Sequence, residues 1–176
     1  PELYCQNITI NAGENAVTFT DDSYFNTSFT NNGTGLVTFD GSATYGTSFI
    51  NESPVLTTFK SSFTGTGNAE FAGDINLTDD ADRFFSAGAG HSITTTNNLI
   101  VNTNSVNTIQ INSTPTSKVI AKNFVLYSGK LKLNGTLEST GDIILLGPDY
   151  TTLDPQTGID GIYLYNQTRP SPVNYT

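Results

Sequence analysis

The sequence lacks several features that mark common classes of protein. Its 176 residues contain no Met or Trp, one Cys, and only seven Lys and Arg against 16 Asp and Glu. A single cysteine, Cys5, excludes an internal disulfide framework. The scarcity of cations argues against a surface for nucleic-acid phosphates, and no run of 18 apolar residues predicts a membrane-spanning helix. What remains is a chain long enough for one domain with its own hydrophobic core.

The abundant residues favour strands and turns. Thr, Asn, Ser and Gly together make up 78 of the 176 residues, and these types are weak helix formers that suit strands and turns. The 19 Phe and Tyr residues supply enough apolar surface to argue against disorder. The composition therefore predicts an all-β protein rather than a helical bundle or a doubly wound α/β domain.

A repeat of 20 residues runs through the first part of the chain. Phe recurs every ten residues from Phe19 to Phe59, each time after Thr or Ser. When residues 16–35 are aligned with residues 36–55, seven of 20 positions are identical, whereas a shift of ten gives only one or two identities per ten. A unit of 20 built from two unlike strands predicts one coil of a solenoid. We therefore predict a right-handed parallel β-helix over residues 1–168, with an extended tail at 169–176.

Alternation within each unit predicts which side chains lie inside the coil. Odd positions are mostly apolar and even positions carry hydroxyl groups, which indicates strands with one buried face. Like residues of successive coils should then stack about 4.8 Å apart. The predicted inner positions include Phe19, Phe39, Phe59, Thr27 and Thr47. The predicted outer row contains Thr18, Thr38 and Thr58.

After about residue 75 the repeat becomes less regular, although the composition stays the same. Short apolar runs with strand character continue at intervals of roughly 8 to 12 residues. These runs are Asn98–Val101, Thr108–Ile111, Lys118–Ala121, Phe124–Tyr127, Lys130–Leu133, Asp142–Leu146 and Ile162–Tyr165. Residues 79–90 are predicted to form a loop or short helical excursion, and residues 147–161 a protruding turn-rich segment.

The coil pattern resembles a known family. Val-Thr-Phe, five residues, Tyr or Phe, one further residue, and then Thr-Ser-Phe occurs at 17–29 and 37–49, and a Phe-x-x-Asn element stands at Phe29–Asn32. This pattern resembles the passenger regions of autotransporter and polymorphic outer-membrane proteins. The stretch LKLNGTLESTGDIILLG at 131–147 is similar to filamentous-haemagglutinin-type adhesins. The resemblance implies a β-helix secreted or displayed outside the bacterial outer membrane, with a translocator elsewhere in the parent protein.

Acidic residues cluster where the repeat is interrupted. One cluster lies beside Arg83, and the other has a spacing unlike that of an EF-hand. Glycoside hydrolysis needs two carboxylates held across the substrate, and nothing in the sequence requires that arrangement. We predict that these aspartates are ligand-binding candidates, with no catalytic residue, metal or cofactor. The candidates are Asp79, Asp80, Asp82, Asp149 and Asp154.

Asn-x-Ser/Thr sequons are about twice as frequent as the composition predicts. Asn-containing turns followed by Thr also suit a β-solenoid, so the repeat itself multiplies the motif. The alternative interpretation is N-glycosylation of a surface protein. The candidate sites are Asn7, Asn26, Asn32, Asn51, Asn76, Asn112, Asn134, Asn166 and Asn174.

The sequence favours a structural and adhesive module without enzymatic activity. Rows of Thr and Asn on the outside of a solenoid suit hydrogen bonding to host-cell, matrix or glycan ligands. Two alternatives remain at this point. One is a carbohydrate-active β-helix enzyme similar to pectin lyases, and the other is an antiparallel β-sandwich binding domain.

Overall fold

The computed structural model describes residues 2–78, 81–103, 107–112, 114–128 and 130–145. These residues form 19 β-strands, and no helix occurs among them. The strands are β1 (Leu3–Ile10), β2 (Val17–Phe19), β3 (Ser23–Asn31), β4 (Val37–Phe39), β5 (Ala43–Tyr45), β6 (Ser48–Asn51), β7 (Thr57–Phe59), β8 (Phe63–Gly65), β9 (Asn68–Phe71), β10 (Ile75–Leu77), β11 (Arg83–Ser86), β12 (Ser92–Thr95), β13 (Asn98–Asn102), β14 (Thr108–Ile111), β15 (Lys118–Ala121), β16 (Asn123–Ser128), β17 (Lys130–Leu133), β18 (Thr136–Ser139) and β19 (Ile143–Leu145).

Each coil contributes strands to three faces of a parallel β-solenoid. The first face contains β5, β8, β11, β14 and β17, and the second contains β6, β9, β12, β15 and β18. The long strands β1 and β3 span both of these faces. The third face stacks β2, β4, β7, β10, β13, β16 and β19. The prediction of two strands per coil is therefore wrong, because each later coil has three.

All strand pairings in the described part of the chain are parallel, which confirms the solenoid and overturns the antiparallel sandwich. Along the third face, paired residues are separated by 20, 20, 18, 24, 25 and 19 positions. The unequal steps explain why the repeat becomes hard to recognise after residue 75. The sheets keep their register, apart from shifts of one residue where β1 pairs with β3 and where β13 pairs with β16, and the corners between faces take up most of the difference in length.

Aromatic columns fill the core of the first coils. The rings of Phe19 and Phe39 stack with centroids 4.6 Å apart, and those of Phe39 and Phe59 with centroids 5.1 Å apart. A second stack joins Phe29 and Phe49 at 4.2 Å. These columns confirm the predicted inner positions of the Phe residues. Such offset-stacked rings add to the stability gained by burying their area.

The prediction that odd-numbered residues lie inside the coil fails at the corner between the first and second faces. Thr27 and Thr47 are both exposed, although they occupy odd positions. The chain turns there, with the Thr47 N–H donating to the carbonyl of Thr27 one coil earlier at 2.7 Å. The alternation of a flat strand therefore does not hold through the corner. The outer row of Thr18, Thr38 and Thr58 is in register as predicted.

The later strands agree with the sequence patterns, with one correction. The predicted runs between 98 and 145 coincide with β13 to β17 and β19 to within two residues at each end. Residues 83–86 form strand β11 rather than part of a loop or helix, and Phe85 is buried against Phe63 with centroids 5.5 Å apart. The predictions for 146–176, including the strand at Ile162–Tyr165 and the tail, lie outside the described residues.

The burial of Tyr45 in the first face can be tested by measuring stability as a function of pH. Its ring occupies the space beside Gly65, and its hydroxyl donates to the Gly67 carbonyl at 3.3 Å. Burial raises the pKa of this hydroxyl above its ordinary value. The unfolded chain ionises near pH 10 while the folded chain stays protonated, so the contribution to stability is complete below pH 10 and falls above it.

We expect the free energy of unfolding to fall by about 1 kcal/mol more in the natural chain than in Tyr45→Phe between pH 9 and pH 11. Urea unfolding at both pH values measures this difference. All other titratable groups are common to the two proteins, so their contributions to the difference cancel. If the free energy of unfolding fell by the same amount in the two proteins, Tyr45 would not be buried as described.

Candidate functional site

The outer surface of the second face carries two columns of side chains that cross the seven coils formed by the described residues. We name them the polar column and the mixed column. The polar column contains Asn7, Ser28, Ser48, Asn68, Ser92, Lys118 and Thr136. The mixed column contains Thr9, Thr30, Ile50, Glu70, Thr94, Ile120 and Glu138. All 14 residues are at least partly exposed.

The sheet geometry arranges these side chains as a grid. Neighbours within a column are about 4.8 Å apart, and the columns lie two residues apart along each strand, or about 6.6 Å. Six steps between seven coils therefore give a surface about 29 Å long. Because the strands are parallel and in register, each side chain lies beside the equivalent side chain of the next coil.

Hydrogen bonds between coils hold several of these side chains in place. The Ser28 hydroxyl donates to Asn7 Oδ1 at 2.7 Å. Asn68 Oδ1 accepts from the Ser92 N–H at 3.0 Å and lies 3.3 Å from His91 Nδ1. The polar column therefore has an ordered arrangement of donors and acceptors, which reduces the entropy lost when a ligand binds.

The first five coils of the polar column carry no charge. Asn7, Ser28, Ser48, Asn68 and Ser92 are neutral, and the chain contains no Lys or Arg before Lys60. Recognition by this part of the polar column would depend on hydroxyl and amide hydrogen bonds rather than on ion pairs. Neutral sugars and extended peptide backbones offer matching groups.

The structure gives Asp82 a contact within the fold. Its carboxylate Oδ1 accepts the N–H of Thr108, at the start of β14, at 2.7 Å. Asp22 makes the equivalent contact in an earlier coil, where Oδ1 accepts the Ser42 N–H at 2.7 Å. Asp82 therefore joins successive coils, although its side chain is exposed. The other four candidates, Asp79, Asp80, Asp149 and Asp154, lie outside the described residues.

The sequons fall in different environments. Asn7, Asn26 and Asn32 are exposed, and Asn76 and Asn134 are partly buried. Asn51 and Asn112 are buried, with exposed fractions of 1% and 0%. A glycan on either of these two would need the side-chain nitrogen outside the coil, so the glycosylation prediction does not fit the fold at these positions. Asn166 and Asn174 lie outside the described residues.

Asn51 belongs to an internal hydrogen-bonded ladder that the sequence reasoning missed. Asn31 Nδ2 donates to Asn51 Oδ1 at 2.7 Å, and Asn51 Nδ2 donates to the Thr57 hydroxyl at 2.7 Å. The backbone N–H of Ser53 also donates to Asn51 Oδ1, at 3.1 Å. Asn at the same odd position of two successive repeats was the available signal. These bonds satisfy polar groups that would otherwise be costly to bury.

A small cleft lies between the first and third faces. It is lined by Phe59, Ser61, Leu77, Thr78, Arg83, Phe84, Phe85 and Ile109, and its volume is about 10 Å³. That volume is close to the minimum needed for one water molecule. Among the described residues, no three His, Cys, Asp or Glu side chains are close enough to hold a metal ion, and no helix there could cross a membrane.

Comparison with known proteins found no relative of this chain. No family model matches the chain, and neither a curated protein nor a solved structure matches it significantly. The assignment to a parallel β-solenoid therefore rests on the strand pairing and register of the chain itself.

Proposed function

We propose that this chain is a non-catalytic structural and adhesive segment of a secreted or surface-displayed β-solenoid protein. The observation that carries the proposal is the polar column, which continues over seven coils and is neutral over the first five. Its ligands would be glycans, matrix proteins or other molecules of a host surface. The likeness of the coil pattern to autotransporter and haemagglutinin-type passengers supports display outside a bacterial cell, with a translocator elsewhere in the parent protein.

A repeating surface suits a repeating ligand. Each hydrogen bond exchanged with water contributes only about 1 kcal/mol, so one coil alone would bind weakly. A polymer that contacts several coils at once gains from the high effective concentration of the second and later contacts. The length of the polar column, rather than a deep pocket, would therefore determine affinity.

The position of the exposed sequons bears on this function. Asn7 belongs to the polar column, whereas Asn26 and Asn32 lie at the corners beside it. A glycan at Asn7 would cover the first coil of the column. Glycosylation at Asn26 or Asn32 would leave the column facing outward.

The proposal is tested by placing bulky charged groups on the column. We expect the double variant Ser28→Arg and Ser48→Arg to lose at least about tenfold in binding to glycan arrays, matrix proteins or cells. The two positions are neighbours in register on the second face. The matched control is Thr38→Arg and Thr58→Arg, also neighbours in register but on the outer row of the third face.

Both double variants add the same charge at partly exposed positions, so a general effect of charge would weaken both equally. Equal binding by the two variants would show that the second face is not the adhesive surface. Failure of the natural chain to bind any member of broad glycan and matrix arrays would contradict the adhesive function itself.

A further inference from the structure

The tripeptide Asn-Gly-Thr occurs twice in the chain, at 32–34 and at 134–136. Both copies lie at corners of the solenoid, directly after strands β3 and β17. In an Asn-Gly pair the backbone nitrogen of the glycine can reach the side-chain carbon of the asparagine easily, because glycine has no Cβ to hinder the approach. The two copies share this chemistry, so a difference between them in the folded chain would come from their surroundings.

Hydrogen bonds hold both reacting groups of the first copy. The Gly33 N–H donates to Asn31 Oδ1 at 3.0 Å, which forms an Asx turn. The side-chain nitrogen of Asn32 donates to Asn11 Oδ1, one coil earlier, at 2.9 Å. Asn31 is itself fixed by its bond to Asn51 in the internal ladder. Ring closure at Asn32 would break the first two of these bonds, so the first copy is protected.

The second copy has no such turn. The residue two positions before Gly135 is Leu133, whose side chain has no acceptor, whereas the first copy has an asparagine there. No described residue accepts a hydrogen bond from the Gly135 N–H. Asn112 lies beside Gly135, but its Oδ1 has no hydrogen-bond partner in the described part of the chain. The Gly135 nitrogen is therefore not held away from the side chain of Asn134.

We propose that Asn134 is a site of spontaneous deamidation, a modification in which the chain supplies both reacting groups and water is the only co-reactant. The Gly135 nitrogen forms a bond to Asn134 Cγ, the bond from Cγ to Nδ2 breaks, and ammonia leaves with the proton of the Gly135 amide. Water then opens the resulting succinimide at either carbonyl carbon, which gives aspartate or isoaspartate. This modification is independent of the adhesive role of the second face.

The position of this pair gives the modification a structural effect. Thr136, the next residue, belongs to the polar column, and its N–H donates to the Ser117 carbonyl at 3.1 Å. The Thr136 carbonyl accepts from Asn112 Nδ2 at 3.0 Å. Isoaspartate inserts an extra carbon atom into the backbone just before these contacts and leaves a carboxylate beside it. We expect the coil that contains Thr136 to lose its register with the coil before it, which shortens the polar column.

Exposure alone would predict the opposite order of reactivity. Asn32 is exposed, whereas Asn134 is partly buried. Ring closure in a folded protein requires the backbone to move, and segments held by hydrogen bonds must open first. The bonds at Gly33 and Asn32 therefore slow the exposed site, and the order of the two rates separates the effect of hydrogen bonding from that of exposure.

The test compares the two asparagines within the same folded molecule. The natural chain, produced without glycans, is kept at neutral pH for several weeks, digested and analysed by tandem mass spectrometry. We expect Asn134 to be converted at least about tenfold faster than Asn32, with isoaspartate as the main product. In guanidinium chloride the chain is unfolded, so the two asparagines should react at rates within about threefold of each other.

Two variants test the turn and the structural effect. Asn31→Ala removes the acceptor of the Gly33 N–H, and we expect the rate at Asn32 to rise at least about threefold. Asn134→Gln lengthens the side chain, so ring closure there becomes slow. Hydrogen exchange of aged samples should show loss of protection at the Thr136 amide in the natural chain and none in Asn134→Gln. Circular dichroism of fresh samples checks that both variants keep the solenoid.

Three outcomes would overturn the proposal. Conversion of Asn134 no faster than that of Asn32 in the folded chain would show that the missing turn does not expose the second copy. A difference that persists unchanged in guanidinium chloride would assign it to the flanking sequence instead of the fold. Aspartate as the sole product would exclude the succinimide. If Asn31→Ala does not fold, the comparison of the folded and unfolded natural chain still decides.

Discussion

Gly67→Ala is expected to lower the free energy of unfolding by at least about 3 kcal/mol. Gly67 lies where successive coils approach closely at the corner of the first and second faces. A Cβ atom at this position would lie 1.8 Å from the Thr47 carbonyl oxygen and 2.4 Å from its carbonyl carbon. Both are backbone atoms, so the methyl group can be accommodated only if two coils move apart. Urea unfolding followed by circular dichroism measures the loss.

Gly90→Ala is the matched control for this substitution. Gly90 has a φ of 76°, and a Cβ atom added to it would have no neighbouring atom within 4 Å. Alanine there costs only the strain of the left-handed conformation, about 1 to 2 kcal/mol. If Gly67→Ala lowered the free energy of unfolding no more than Gly90→Ala does, the close approach of the coils would be contradicted.

Phe39→Ala is expected to lower the free energy of unfolding by about 4 kcal/mol. The Phe39 ring is fully buried between Phe19 and Phe59, in contact with both. Its removal leaves a cavity that flanking coils cannot fill without breaking their register. Thermal and urea unfolding of the natural and variant chains would give the difference.

Phe19→Ala provides the comparison within the same column. Phe19 is only partly buried, because it belongs to the first coil and has a stacked neighbour on one side. The expected loss is about 1 to 2 kcal/mol, in proportion to its smaller buried area. Equal losses at the two positions would mean that the column does not continue through Phe39 as described.

The period, the parallel stacking and the inner Phe columns could all be predicted from the sequence. Each depends on alternation and on similarity between residues 20 positions apart, and both signals are strong between 16 and 59. The third strand of each coil could not be recognised. Strands such as Val37–Phe39 and Ala43–Tyr45 have only three residues each, which is too short for alternation to separate a strand from the corner beside it.

The errors at β11 and in the Asn ladder have a common cause. Residues 79–90 are rich in Asp, Gly and Ala, which usually indicate a loop, but burial of Phe85 in the core outweighs local preference. Asn31 and Asn51 likewise look like turn residues, yet they pair with each other inside the coil. In both cases a contact with a neighbouring coil decides the conformation, and a single stretch of sequence does not contain that contact.

The candidate site could be predicted only in part. Ser28 and Ser48 follow from alternation, because they lie at even positions directly before the inner residues Phe29 and Phe49. Asn7 does not, because the pairing of β1 with β3 shifts by one residue between Cys5 and Asn7. That irregularity places Asn7 beside Ser28. No repeat in the sequence predicts the shift.

In the part of the chain that the structure describes, each coil pairs only with the coil before it and the coil after it. Folding can therefore begin at any adjacent pair of coils and spread in both directions, since every added coil meets a complete template. Loss of structure should proceed in the reverse sense, with terminal coils fraying first and the interior remaining intact. The chain therefore unfolds as a linear series of coils rather than as one globular unit. A defect in a middle coil divides it into two shorter units, whereas a defect at the end shortens it.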